Sequence, residues 1–238
     1  MTFSIKRINA IFQKDVKDIL KYWSVSTFLP LPLVLAAITG REPAANLPVE
    51  AHFVVINLTL SMVAAFLQCI LIAEEREKNT LRNLMLSPAN PTEILAGKSL
   101  LSFIFTVVIA VIGAKISGYE PADPFIISIA IGVSILFYIA LGTLLGLLAK
   151  SVMEASMIIV PFMLLFTFGT YLKELIEEYP ILSFVEYLPN VQLVNLANDV
   201  QTGAGIAEVW LNLVVIAGWL AGMCLIVVVM FKRREMDK

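Results

Sequence analysis

The chain has 238 residues, 59% of them hydrophobic and 15% charged, with a formal charge of -2 and a mean hydropathy of +0.87. That is more apolar surface than a soluble domain of this length carries, and the near-neutral balance gives no hint of nucleic-acid binding. The composition therefore predicts an all-α integral membrane protein, in which the position of the charges is the informative quantity.

The first residues, MTFSIKRINAIFQKDVKDILKYW, lack the continuous apolar core of a signal peptide, and the N-terminus is expected to survive in the mature protein. Ile5, Ile8, Phe12, Val16, Ile19 and Trp23 recur at helical spacing, with Lys6, Lys14, Lys17 and Lys21 on the other faces. This pattern predicts an amphipathic elbow helix over residues 1–21, lying flat in the inner membrane interface.

Six runs long and apolar enough to cross a bilayer follow, near 22–39, 53–73, 97–118, 125–149, 154–171 and 208–231. Pro30 and Pro32 predict a break in the first, and Pro161 a bend in the fifth. Fourteen of the 17 Lys and Arg residues fall before the first run, between the second and third, after the fourth, or at the C-terminus. By the positive-inside rule, both termini and those loops face the cytoplasm. Cys69 and Cys224 lie inside apolar runs and read as core thiols rather than a disulfide or metal pair.

The loop after the second run, AEEREKNTLRNLMLSPANPTEILAGK at 73–98, is the longest strongly polar stretch between two apolar runs. Glu74 and Lys78 stand four apart in the favourable order, and Leu81, Leu84 and Met85 share a helical face. Pro88 ends that helix, and Asn90 followed by Pro91 supplies the start of the next. A plain connector would be shorter, so a short helix, a turn and the start of the next span are predicted within one cytoplasmic loop over 74–92. Residues 172–207 form a second long segment, on the outside. Their apolar spacing predicts two short helices before the last span, the second running through Leu193, Leu196, Ala197 and Val200 with Asn190 as its cap.

The segment EEREKNTLRNLMLSPANPTEILAGKSL resembles the signature loop of the type-2 ABC transporter permease family through Glu74, Glu75, Lys78, Thr80, Leu81, Leu84, Pro88, Glu93, Ile94, Leu95, Gly97 and Lys98. Asn79 stands where that family often has Gly. Six spans, an amphipathic first helix and YLPNVQLVNLAND before the last span are similar to the family layout, so residues 1–238 are expected to be one permease domain. The resemblance implies that 74–92 is a coupling loop whose residues 74–86 form a coupling helix docking on a separate cytoplasmic ATPase. Glu74, Glu75, Lys78, Thr80, Leu81, Leu84, Met85 and Pro88 would then supply the contact. It further implies two permease copies, as a homodimer or with a homologous partner, two ATPase subunits carrying the ATP and Mg, and a prokaryotic inner-membrane location. The 172–207 segment would resemble a re-entrant exit gate.

The residues themselves agree with external energisation. There is no G-x-x-x-x-G-K-[ST] phosphate loop, so ATP is not used here in the P-loop manner, and no cofactor is expected in this chain. No ionisable residue sits mid-span, which disfavours a proton- or sodium-coupled carrier. The spans do carry Asn57, Gln68, Tyr138 and Thr167, the candidate lining of a substrate path, because polar groups against lipid are costly. An uncharged path suits an amphipathic or lipid-like cargo such as a peptide antibiotic, a drug or a glycolipid, and the resemblance favours export; an ion-extruding permease is the alternative within the family. A membrane-embedded enzyme is the competing class, but His52 is the lone histidine and lies outside, and no H-E-x-x-H or mid-span Asp pair offers catalytic or metal-binding residues. Gly142 with Gly146, and Gly218 with Gly222, form G-x-x-x-G pairs expected to serve packing within the chain.

Overall fold

The structure is a computed structural model that describes residues 29–43, 47–78, 91–175 and 179–236. Its described residues are helical: α1 (Leu31–Thr39), α2 (Val49–Glu77), α3 (Pro91–Ile116), α4 (Pro124–Leu148), α5 (Val152–Phe168), α6 (Pro189–Gln201) and α7 (Ile206–Met236). Five of these elements are long and apolar enough to cross a membrane, namely α2 to α5 and α7. The first expected span, 22–39, is described only from Leu29 onward, and the elbow helix at 1–21 lies outside the described residues. Pro30 and Pro32 do not kink α1 in the described part. They start it, Pro30 as the N-cap and Pro32 in the first turn, where a missing N–H goes unnoticed.

The helices alternate in direction. One end of the bundle, here the loop end, carries the termini of α2 and α4 and the starts of α3 and α5. The far end carries the turns 117–123 and 169–205. α2 is the central element, with 89% of its most apolar window buried, against 11% for α7. In its middle, Leu60–Phe66 widens into a π-helix, and the Leu67 N–H bonds to the Met62 carbonyl five residues back. α4 lies close alongside this stretch because Gly142 and Gly146 have no side chain. A Cβ on Gly142 would stand 2.2 Å from the Ala65 carbonyl oxygen, and one on Gly146 2.6 Å from that of Cys69. Without a hydrophobic force between helices in lipid, such close backbone contact is a principal source of association.

At the far end, the segment expected to hold two short α-helices differs in its first half. It forms two 3-10 stretches, Gly169–Leu175 and Pro180–Tyr187. Pro180 disfavours helical geometry at Tyr179, whose backbone is non-helical at φ -128° and ψ 85°. The second half is α6, which turns back into the bundle and buries Val191, Leu193, Val194, Leu196, Ala197 and Val200. Lys173 Nζ to Asn195 Oδ1 (2.7 Å), Gln192 Nε2 to the Glu186 carbonyl (2.7 Å) and Trp219 Nε1 to the Tyr187 carbonyl (2.7 Å) hold the 3-10 turns on α6 and α7. Asn190 does not cap α6. It sits in the first turn with its side chain fully buried, and the N-cap position belongs to Leu188.

Candidate coupling site and buried polar groups

The last turn of α2 carries Glu74, Glu75, Arg76 and Glu77 in succession, followed by Lys78, so the side chains fan out around the helix and, Glu74 and Lys78 apart, meet different elements. Glu74 pairs with Lys78 one turn on. Glu75 points inward and meets Lys98 of α3 at 3.2 Å, with the Lys98 side chain only 1% exposed. Removing two charges from water is costly, so each of this pair depends on the other for compensation. Arg76 turns the opposite way and its Nη1 donates to the carbonyls of Leu147 and Leu148 at 2.9 Å, and to that of Ala149. These are the unpaired acceptors at the negative end of the α4 dipole, where a guanidinium is favoured. Glu77 Oε2 accepts from the backbone N–H of Val152 at 2.8 Å, at the positive start of α5. That start is also capped from within: Ser151 Oγ accepts from the Glu154 N–H (3.2 Å), while Glu154 Oε2 accepts from the Lys150 N–H (2.6 Å).

The end of α2, at the start of the 74–92 loop, is thus fastened to α3, α4 and α5 together. Of the residues expected to meet an ATPase, Glu74, Glu75 and Lys78 lie on this last turn, whereas Thr80, Leu81, Leu84, Met85 and Pro88 lie outside the described residues. The structure adds Arg76 and Glu77, which sequence reading passed over as two more charges in a charged stretch. Their partners, 71 and 75 residues away in the chain, leave no local signature. α3 begins at Pro91, where the Asn-Pro start signal puts it.

Among the candidate path residues, Gln68 is enclosed and bonded at the junction of three helices. Its Nε2 donates to Thr143 Oγ1 of α4 (3.0 Å) and reaches Ser99 Oγ of α3 (3.5 Å), while its Oε1 accepts from Ser102 (2.8 Å). Asn57, Tyr138 and Thr167 are equally buried, yet Asn57 Oδ1, Tyr138 OH and Thr167 Oγ1 have no hydrogen-bond partner. At the far end His52 Nδ1 lies 3.3 Å from Ser117 Oγ. The Ser117 hydroxyl donates to the Ala114 carbonyl (3.1 Å), so it is the acceptor toward the imidazole and is not arranged as an activated nucleophile. Among the described residues no three His, Cys, Asp or Glu side chains are grouped to hold a metal.

The fold is a multi-pass bundle of apolar helices in which the last turn of α2 is braced to three neighbours. The model of the ABC-2 family transporter proteins matches residues 44–231, most of the chain. The chain belongs to this family and is an ABC transporter permease. No curated protein matches it. Members of the family normally work with an ABC ATPase and often dimerise.

Proposed function

We propose that residues 1–238 form one permease domain of an ATP-driven exporter in a prokaryotic inner membrane, with both termini cytoplasmic. The 74–92 loop receives a separate ATPase, and Thr80, Leu81, Leu84, Met85 and Pro88 form the docking surface. Glu74 and Lys78 border that surface, while Glu75 acts from behind it through Lys98. The reading is carried by the bracing of the loop's base: Glu75 to Lys98, Arg76 to the end of α4 and Glu77 to the start of α5. A displacement of the loop is therefore delivered to α2, α3, α4 and α5 together, which is what a mechanical input requires.

Two permease copies and two ATPase subunits complete the transporter, with ATP and Mg held by the ATPases. The mid-membrane polar groups described, Asn57, Gln68, Tyr138 and Thr167 among them, are uncharged, which favours an amphipathic or lipid-like cargo over an ion. The apolar side chains exposed on α3, α5 and α7 supply the surface for lipid and for the second copy.

Inverted vesicles holding the chain and its ATPase test this reading. Amphipathic dyes and lipid-like peptides should accumulate on addition of ATP and Mg, and the purified permease alone should hydrolyse no ATP. ATP hydrolysis by the isolated chain, or accumulation indifferent to ATP, would overturn it.

A further inference from the structure

Hydroxyl groups inside a membrane helix normally satisfy themselves by donating to the carbonyl four residues back. Thr59, Thr106, Ser134, Thr143 and Ser156 all do so, at 2.6 to 2.9 Å. Ser61 and Thr167 do not, although each is buried, and neither finds another partner. Ser61 lies in the π-helical stretch of α2, where the register of hydroxyls and carbonyls is altered, and Thr167 lies where α5 passes into 3-10 helix. Five further groups share this condition: Asn57 Oδ1, Tyr119 OH, Tyr138 OH, Thr170 Oγ1 and both amide atoms of Asn190.

All but Tyr119, whose ring packs on His52 and Phe53, fall on elements that pack against one another. Asn57 and Ser61 stand one turn apart on α2, and the Tyr138 hydroxyl of α4 approaches Ser61, though without hydrogen-bond geometry for either oxygen. The Tyr138 ring meets that of Phe166 edge-on at 5.5 Å, and Phe166 precedes Thr167. A Cβ on Gly169 would lie 2.6 Å from Asn190 Nδ2, so Asn190 is seated against the bend that Thr167 and Thr170 flank. α2 and α6 are antiparallel and pinned at the far end by Asn198 Nδ2 to Glu50 Oε1 (2.6 Å). Asn57 and Asn190 then lie at matching depths, about 10 to 12 Å below that pin at 1.5 Å per residue.

We propose that Asn57, Ser61, Tyr138, Thr167, Thr170 and Asn190 line a hydrated pocket inside each permease chain, whose ligand is a small cluster of ordered water. Buried polar atoms in proteins are almost always paired, and an internal water serves about three of them at once. All six residues carry neutral groups able to accept a hydrogen bond, five of them also donors on the unpaired side, and none is charged, which fits water and not an ion or a charged cargo. The pocket underlies the junction of α5 with the 169–201 segment. A wet seam there lets that segment shift against the bundle by exchanging bonds to water, where a dry polar seam would lock.

Reactivity of engineered thiols tests this, since a thiol reacts with a methanethiosulfonate only as the hydrated thiolate. In a chain with Cys69 and Cys224 replaced by Ala, single variants Ser61→Cys and Thr167→Cys are compared with Thr59→Cys and Thr143→Cys, which are as buried but sit at self-bonded positions. Membrane vesicles without ATPase or nucleotide are used, so the outcome does not depend on the transport reading. The first pair should react faster by about tenfold or more with a small cationic methanethiosulfonate, read as a mass shift. Equal slow rates at all four positions would overturn the proposal. Thr167→Val gives a second readout: it should lower the melting temperature of the detergent-solubilised protein, because it strands a water. A rise would show an unpaired hydroxyl in a dry site and would equally overturn it.

Discussion

The two G-x-x-x-G pairs look the same in the sequence and have opposite surroundings. Gly142 and Gly146 on α4 face the backbone of α2, so close that an added methyl would overlap Ala65 and Cys69 carbonyl oxygens. Gly218 and Gly222 on α7 face open space, with no atom within 4 Å of an added Cβ, in a shallow groove bounded by Val215, Trp219, Met223 and Ile226. The first pair fits the expectation of packing within the chain, and the second corrects it. The difference follows from the helices that carry them. α4 is wedged against the buried α2, whereas α7 buries Ile216 and meets α4 through the Trp219 ring, 6.1 Å from Phe137 at the edge of that groove. A spacing motif states only that close approach is possible; a partner backbone decides whether it happens.

Single alanines sharpen this contrast. Gly142→Ala should be the most damaging, since the clash at 2.2 Å is with backbone that no rotamer change can relieve. A loss of about 3 kcal/mol is expected, seen as a marked fall in melting temperature and in the monodisperse fraction after solubilisation. Gly146→Ala, at 2.6 Å from the Cys69 carbonyl oxygen and 2.8 Å from Ile72 Cβ, should cost somewhat less, about 2 kcal/mol by the same measurement. Gly218→Ala and Gly222→Ala should leave the melting temperature of the single chain nearly unchanged, within about 0.5 kcal/mol. If Gly218→Ala proved as harmful as Gly142→Ala, the open face of α7 would be covered in the assembled protein and the contrast would fail.

How far the sequence predicts the structure varies in the same way, with the range of the interaction. Local chemistry was readable: the start of α3 at Pro91, the helix through Leu193 and Val200, and the Glu74–Lys78 pair all follow from neighbours within a turn or two. Partner choice was not. Glu75 and Arg76 are adjacent, yet one turns to Lys98 and the other to the end of α4, because successive helical positions diverge by about 100° and only the fold supplies what waits there. Asn190 reads as a cap by its type and place after a proline, but in the structure burial against Gly169 outweighs capping. The π-helical stretch of α2 is likewise silent, since LSMVAAF has no residue that forbids an ordinary helix. Gln68 was legible as a polar group in need of a partner, and its partners Ser102 and Thr143 were not.

The central claim is that the 74–92 loop receives force from an ATPase. Leu84→Asp tests it most directly, because a charge placed in an apolar docking surface should weaken association by about tenfold or more. The variant should reach the membrane at the normal level, since the change lies outside the apolar spans, while the amount of ATPase that co-purifies with it falls and ATP-driven accumulation in vesicles is lost. A Leu84→Asp chain that retains its ATPase and transports at the normal rate would contradict the claim.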